Sequence, residues 1–151
     1  MTEPAPGSAA HLFTVLRSLD LPRGDYAVFG SGPLLARGII ERAGDLDVIC
    51  RGAAWEAAQR LGPSKEQHGV PVVSLHGGLV TLGRKWAVGE VDEDALISTA
   101  EIIDGLPFVR LEHVVAYKRI IDRAKDREHL RLLEAWRRAS PGPDGLSDLP
   151  H

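Results

Sequence analysis

A short apolar stretch that runs into Gly30-Ser31-Gly32-Pro33, with Asp45-Leu46-Asp47-Val48-Ile49 a little further on, constrains this chain more than any other part of it. The order reads as a buried strand over Tyr26–Phe29, a tight turn, a short helix and a second strand that carries two carboxylates. Pro33 suits the first turn of that helix, where its missing N–H would have had no partner. Side chains alternate along a strand, so Asp45, Asp47 and Ile49 point to one face and Leu46, Val48 and Cys50 to the other. Two aspartates so placed have Cα atoms roughly 6–7 Å apart. They can share a pair of divalent ions about 3.5–4 Å apart, the arrangement that two-metal phosphoryl transfer needs. The Gly30-Ser31-Gly32 turn can offer backbone N–H groups and a hydroxyl to phosphate oxygens. A dinucleotide-binding fingerprint fits less well. The third glycine of G-x-G-x-x-G is missing, and no acid stands at the end of the second strand to bind ribose.

The rest of the chain is consistent with one α/β domain around that pair of strands. Its 151 residues are enough for a hydrophobic core without staples. Residues 1–7 and 140–151 are rich in Pro, Gly and Ser and read as disordered tails, which leaves 8–139 as the domain. Ser8 can N-cap a helix that runs to about Leu19 and is broken by Leu21-Pro22-Arg23-Gly24. A helix over Ala53–Leu61 ends at Gly62-Pro63, and residues 70–75 and 79–82 read as a hairpin about His76-Gly77-Gly78. An acidic stretch from Gly89 to Asp94 leads into a short helix through Ala100, and Asp104-Gly105 marks a turn. Two helices, near 110–122 and 125–139, close the chain. A single cysteine excludes an internal disulfide, and Cys50 falls on the core face of its strand. No apolar run approaches the ~20 residues needed to span a membrane. The N-terminus lacks the pattern of a signal peptide, so a cytoplasmic protein is expected.

The last two helices hold a second cluster of chemistry-bearing residues. Leu111, Val114, Val115 and Ile121 form an apolar stripe, and Lys118 lies on it. A lysine there either snorkels to the edge of the helix or points into a cavity that holds an anion. Asp126 stacks at helical spacing with Leu130, Leu133 and Arg137, so it begins the inward line of the last helix. It can equally serve as a first-turn charge that complements the helix dipole. From Lys118 to Arg138 there are eight Lys or Arg against four Asp or Glu, a net +4 in a chain whose net charge is −3. That stretch is either a solvated face or a basic wall for a triphosphate or an RNA end.

These elements together resemble the DNA polymerase β-like nucleotidyltransferase superfamily, and in particular its minimal and abortive-infection, toxin-type members. Four features carry the resemblance, in order, over roughly residues 25–135: Gly30-Ser31, Asp45-Leu46-Asp47, the helix end at Lys118, and the run Arg123-Ala124-Lys125-Asp126-Arg127-Glu128-His129-Leu130. His129 stands where such proteins usually have a final Asp. The resemblance implies a nucleotidyltransferase fold, a small mixed sheet flanked by helices with a helical C-terminus. It further implies transfer of a nucleoside monophosphate from a nucleoside triphosphate to a hydroxyl of tRNA, protein or a small molecule. In that reading Gly30, Ser31 and Gly32 hold nucleotide phosphates, Asp45 and Asp47 ligate Mg²⁺, and Lys118 and Asp126 complete the catalytic site. Many members carry a third carboxylate on the strand beside the Asp-x-Asp strand, where this chain offers only Thr81. Glu90 is the substitute nearest in sequence, unless it belongs to a solvated acidic loop. The missing acid leaves open a degenerate member that binds nucleotide without turnover. An interaction protein with an antitoxin partner is the other alternative.

Overall fold

The computed structural model describes residues 5–85 and 92–139. Its strands are β1 (Tyr26–Phe29), β2 (Leu46–Cys50), β3 (Ser64–Gln67), β4 (Val70–Leu75), β5 (Val80–Gly83), β6 (Glu101–Ile103) and β7 (Leu106–Phe108). Its helices are α1 (Ala9–Ser18), α2 (Gly32–Ala36), α3 (Gly52–Leu61), α4 (Glu93–Ser98), α5 (Leu111–Ile121) and α6 (Ala124–Ala139). All the strands join one mixed sheet in the order β3-β4-β5-β2-β1-β7-β6. The chain is therefore mixed α/β, as the sequence implied. None of the described helices is long and apolar enough to cross a membrane.

The middle of the sheet is the core. β1 is antiparallel to β2, and β2 is parallel to β5. Val28, Val48, Leu46 and Leu82 have no exposed surface, and neither have Ala27 and Ile49 on the alternate face. Burial of both faces requires cover on both sides, which reads in sequence as a run of apolar residues instead of an alternating one. Two aromatic contacts tie helices to the middle strands. Phe13 of α1 meets Phe108 edge-on at 5.2 Å, and Tyr117 of α5 lies 4.5 Å from Phe29.

Local signals placed most of the elements. The Ser8 hydroxyl accepts a hydrogen bond from the His11 N–H and starts α1, and Asp92 caps α4 in the same way through Ala95. The expected hairpin is present: β4 and β5 are antiparallel and joined by a 3-10 turn over His76–Gly78. Asp104 and Gly105 both take positive φ and turn β6 into β7. Residues 5–7, assigned to the tail from composition, are hydrogen-bonded instead. Ser8 N–H donates to the Ala5 carbonyl, and the Gly7 carbonyl accepts from the Ala43 N–H.

β3 was not expected. Its four residues, Ser-Lys-Glu-Gln, are all exposed and carry no apolar alternation, so periodicity is silent there. The signal is the turn that follows: His68 and Gly69 have φ of 53° and 81°, the positive pair of a two-residue type I′ hairpin. Pro71 is tolerated in β4 because its pairing with β5 begins only at Val72. Beyond that point Pro71 faces β3 alone.

Gly32 has a packing role besides the phosphate contact expected of its turn. A Cβ built there would overlap Cγ1 of Val28 and come within 3.3 Å of Cδ2 of Leu46. Val28 is fully buried and stiff at χ1, so it cannot yield cheaply. Gly32→Ala should therefore lower unfolding free energy by about 1–3 kcal/mol. Urea denaturation followed by circular dichroism would measure it, and an unchanged midpoint would refute the packing role.

Candidate functional site

The sheet register builds the first wall of a cleft. Asp47 pairs with Phe29 on one side and Thr81 on the other, and Thr81 pairs with Ser74. Phe29, Asp47, Thr81 and Ser74 thus form one row across the same face of the sheet. Asp45 lies just before β2 and is exposed, while Asp47 is partly buried. Gly30 is needed where it stands. Its φ is +63°, and a Cβ there would sit 2.9 Å from Oδ2 of Asp47. The turn and the acidic strand therefore touch, as the sequence order implied.

The second wall comes from α5 and α6. Lys118 is 1% exposed and Asp126 is 0% exposed. Lys118 Nζ donates to Asp126 Oδ1 at 3.1 Å and to Ser31 Oγ at 3.2 Å. The lysine does not snorkel. It turns inward and bridges the last helices to the Gly-Ser turn. Asp126 also accepts from the Arg123 backbone N–H at 3.1 Å and from Arg123 Nε at 2.6 Å. The backbone bond is that of an acid in the first turn of a helix reaching back over its start. Both sequence readings of Asp126 hold together, because one oxygen serves the helix start and the other serves Lys118. With its oxygens so engaged, Asp126 acts on the cleft through Lys118 and does not line it.

The two walls enclose a cleft of about 530 Å³. Gly30, Ser31, Asp45, Asp47, Lys118, Arg123 and Lys125 line it, and Tyr117, packed on Phe29 beside Asp47, stands with them. Gln67, His68, Val70, Val72 and Ile121 complete the lining. The cleft thus brings together Gly30, Ser31, Asp45, Asp47 and Lys118, with Asp126 directly behind, and leaves Gly32 outside. Glu90 lies outside the described residues. Sequence reasoning passed over Lys125 as a site residue, although it sits in the quoted Arg-x-Lys-Asp run. Among the described residues it has no ion-pair partner. Tyr117 reaches the cleft only through its packing on Phe29, a contact with no local signal, and Gln67 and His68 belong to a hairpin whose first strand has no apolar pattern.

The local chemistry follows from burial and charge. Burial, and then the neighbouring Asp45 carboxylate, push Asp47 up to about 6, against the pull of Lys125, Arg123 and Lys118. Burial lowers Lys118, and the hydrogen bond and charge of Asp126 resist that fall. Burial alone would raise Asp126, but hydrogen bonds from Arg123 and Lys118 prevail and hold it at about 2. Burial and the nearby Lys118 and Lys125 lower His129, whose Nδ1 lies 3.4 Å from Ser31 Oγ. Cys50, buried behind the strand, is pushed up to about 12 by desolvation and is unreactive packing.

Among the described residues no group of three or more His, Cys, Asp or Glu could hold a metal ion. Asp45 and Asp47 are a pair, and the third position of the row is Thr81. Such a pair suits Mg²⁺, which is commonly held by one or two carboxylates together with substrate phosphates. Asp47, raised by burial first and by Asp45 second, would likewise gain from a cation held between the two carboxylates. No protein-family model, curated protein or solved structure matches this chain.

Two outcomes test this electrostatic account. Asp126→Asn removes the counter-charge of a buried lysine and should destabilise the fold by about 3–5 kcal/mol at pH 7. Because Asp126 is held at about 2, below the unfolded ~3.9, its contribution is present above pH ~4 and is lost as pH falls toward 2. Acid titration of wild type and variant should show their stabilities converging in that window. Asp47 has the opposite sign. Its raised value makes the folded state less stable as pH rises from the unfolded ~3.9 through about 6. Asp47→Asn, without divalent ions, should therefore gain about 3 kcal/mol above pH 6 and nothing below pH ~4. A pH-independent difference in chemical denaturation would refute it.

Proposed function

We propose that the chain is a Mg²⁺-dependent nucleotidyltransferase of the polymerase β-like type, which transfers a nucleoside monophosphate from a nucleoside triphosphate to a hydroxyl acceptor. One observation carries the reading: Gly30-Ser31, the Asp45 and Asp47 carboxylates and Lys118 converge on a single cleft from three separate segments of the chain. Cations and paired carboxylates in one cleft suit a ligand that is itself a polyanion with bound divalent ions.

The chain's own groups have distinct tasks in this reaction. Gly30 and Ser31 receive the β- and γ-phosphates, with the turn held open by the positive φ of Gly30. Lys118 offsets triphosphate charge, and a charge-assisted hydrogen bond of this kind contributes about 1.5–3 kcal/mol. Asp126 keeps that lysine charged and aimed at Ser31 despite its burial. Lys125 adds a second cation at the solvent side. Asp45 and Asp47 would hold Mg²⁺, which supplies charge neutralisation at the transferred phosphate and a more acidic attacking hydroxyl. The acceptor oxygen bonds to the α-phosphorus, the bond to the bridging oxygen breaks, and pyrophosphate leaves.

Thr81 supports a second reading, nucleotide binding without turnover. It pairs with Asp47 on the strand where a third carboxylate would stand, and a hydroxyl brings no negative charge. One set of measurements separates the two. Mg²⁺ with a nucleoside triphosphate should raise the melting temperature of wild type by mass action. The Asp45→Asn, Asp47→Asn double variant should fold but lose that shift. Incubation with labelled triphosphates and total RNA or protein should move label to an acceptor in the enzyme reading and leave it on the nucleotide in the other. A shift that survives in the double variant would remove both carboxylates from the mechanism.

A further inference from the structure

Ser31 lines the cleft, but its hydroxyl is also held from behind. Its Oγ accepts from Lys118 Nζ at 3.2 Å and lies 3.4 Å from His129 Nδ1. His129 is half-buried on α6 and does not itself line the cleft. A hydroxyl has one proton and two lone pairs, and the Lys118 ammonium engages one of the lone pairs. A donor on the oxygen makes its own O–H a better donor, because hydrogen bonds in a chain polarise one another. The chain from Lys118 through Ser31 therefore ends on His129 Nδ1 as acceptor. That role requires a neutral imidazole with its proton on Nε2. Burial favours the neutral ring, as do Lys118 of α5 and Lys125 of α6, against Asp126 and Glu128 of α6. The turn and α2 bring it no charge, since residues 30–36 are Gly-Ser-Gly-Pro-Leu-Leu-Ala.

We propose that His129 is a positioning residue for Ser31 and couples phosphate binding to the uptake of a proton. An ionised phosphate oxygen can only accept, so it competes with His129 for the Ser31 proton. When His129 takes a proton from solvent, its Nδ1–H donates to Oγ and the Ser31 O–H is free to turn to the phosphate. Anion and proton then bind together. This rests on the reading of Ser31 as a phosphate contact and adds the condition under which that contact forms. The electrostatics favour the step, because Lys118 and Lys125, which oppose a charge on His129, are met by the incoming anion. At 3.4 Å the contact is long for a hydrogen bond, so reversing its direction costs little. An ionised acid at position 129 could accept from Ser31 but could not donate to it, and its charge would oppose the anion.

Nitrogen NMR of the histidine rings reads the tautomer directly, with His129→Asn to assign the signals and Mg²⁺ with inorganic tripolyphosphate as the probe. Before tripolyphosphate is added, His129 should carry its proton on Nε2 near neutral pH. Saturating tripolyphosphate should raise its titration midpoint by about one pH unit. The affinity of wild type relative to His129→Asn should fall about tenfold as pH rises through that window. Taking the ratio removes Asp47 and the ligand, which titrate nearby. On a Ser31→Ala background the same comparison should shrink to within about threefold, because the histidine acts through the hydroxyl. A proton on Nδ1 before binding, or a midpoint unmoved by bound tripolyphosphate, would overturn the proposal. So would a full tenfold effect without Ser31, which would leave His129 acting by charge alone. Tripolyphosphate that fails to bind, or binds Ser31→Ala and Lys118→Met as it binds wild type, would instead strike the phosphate reading of Ser31, and the coupling with it.

Discussion

The buried carboxylate of Asp126 is the constraint around which the cleft is arranged. A charge without solvent must find its partners in the protein, and this one finds Lys118 from α5 and both the backbone and the guanidinium of Arg123 from the turn between the helices. Each bond fixes a relation between elements. The angle between α5 and α6 is set by the need to bring a lysine and an aspartate together eight residues apart in the chain. The same lysine then reaches Ser31, so the distance from the helical wall to the Gly-Ser turn is set as well. Ion pairs of this kind contribute little net stability compared with apolar packing of equal volume. Their value here is geometric, because a buried cation held by two partners has one place to be.

Opposite charges in one small space give the cleft its chemical character. Burial, and after it the repulsion from Asp45, raises the proton affinity of Asp47. Burial, and then Lys118 and Lys125, favour the neutral form of His129. Neither set neutralises the other completely, since Lys118 is already engaged by Asp126 and Lys125 has no ion-pair partner among the described residues. A ligand that brings both phosphate anions and divalent cations relieves both tensions at once. That is the physical argument behind the proposal of a metal–triphosphate as the ligand.

The mixed sheet makes this arrangement possible. Antiparallel pairing of β1 with β2 puts the Gly-Ser turn and the acidic start of β2 at the same end of the central strands. The antiparallel β3–β4 hairpin then adds a wall that a purely parallel sheet would have had to supply by a loop. Gly30 and Gly32 show two separate needs met within three residues. The first lets backbone and Asp47 approach, and the second lets α2 pack on Val28 and Leu46.

The amino-acid sequence by itself determined the elements that depend on local chemistry. Ser8 as a cap, Pro33 in a first helical turn, Asp104-Gly105 and His76–Gly78 as turns, and the apolar runs of β1 and β2 could all be read from neighbours within a few residues. The alternation of Asp45 and Asp47 with Leu46 and Val48 was legible for the same reason, because strand geometry is local. Tertiary structure alone decided what each polar residue is for. Lys118 had two readings until its partner was known, and that partner, Asp126, lies on another helix. The packing role of Gly32 was not legible, because Val28, which excludes a side chain there, meets it only after the turn folds back. β3 escaped notice because its residues are all exposed, and an edge strand with no buried face leaves no periodic trace. Local rules report which way a side chain points, but the partner it meets depends on chain segments brought together from far away.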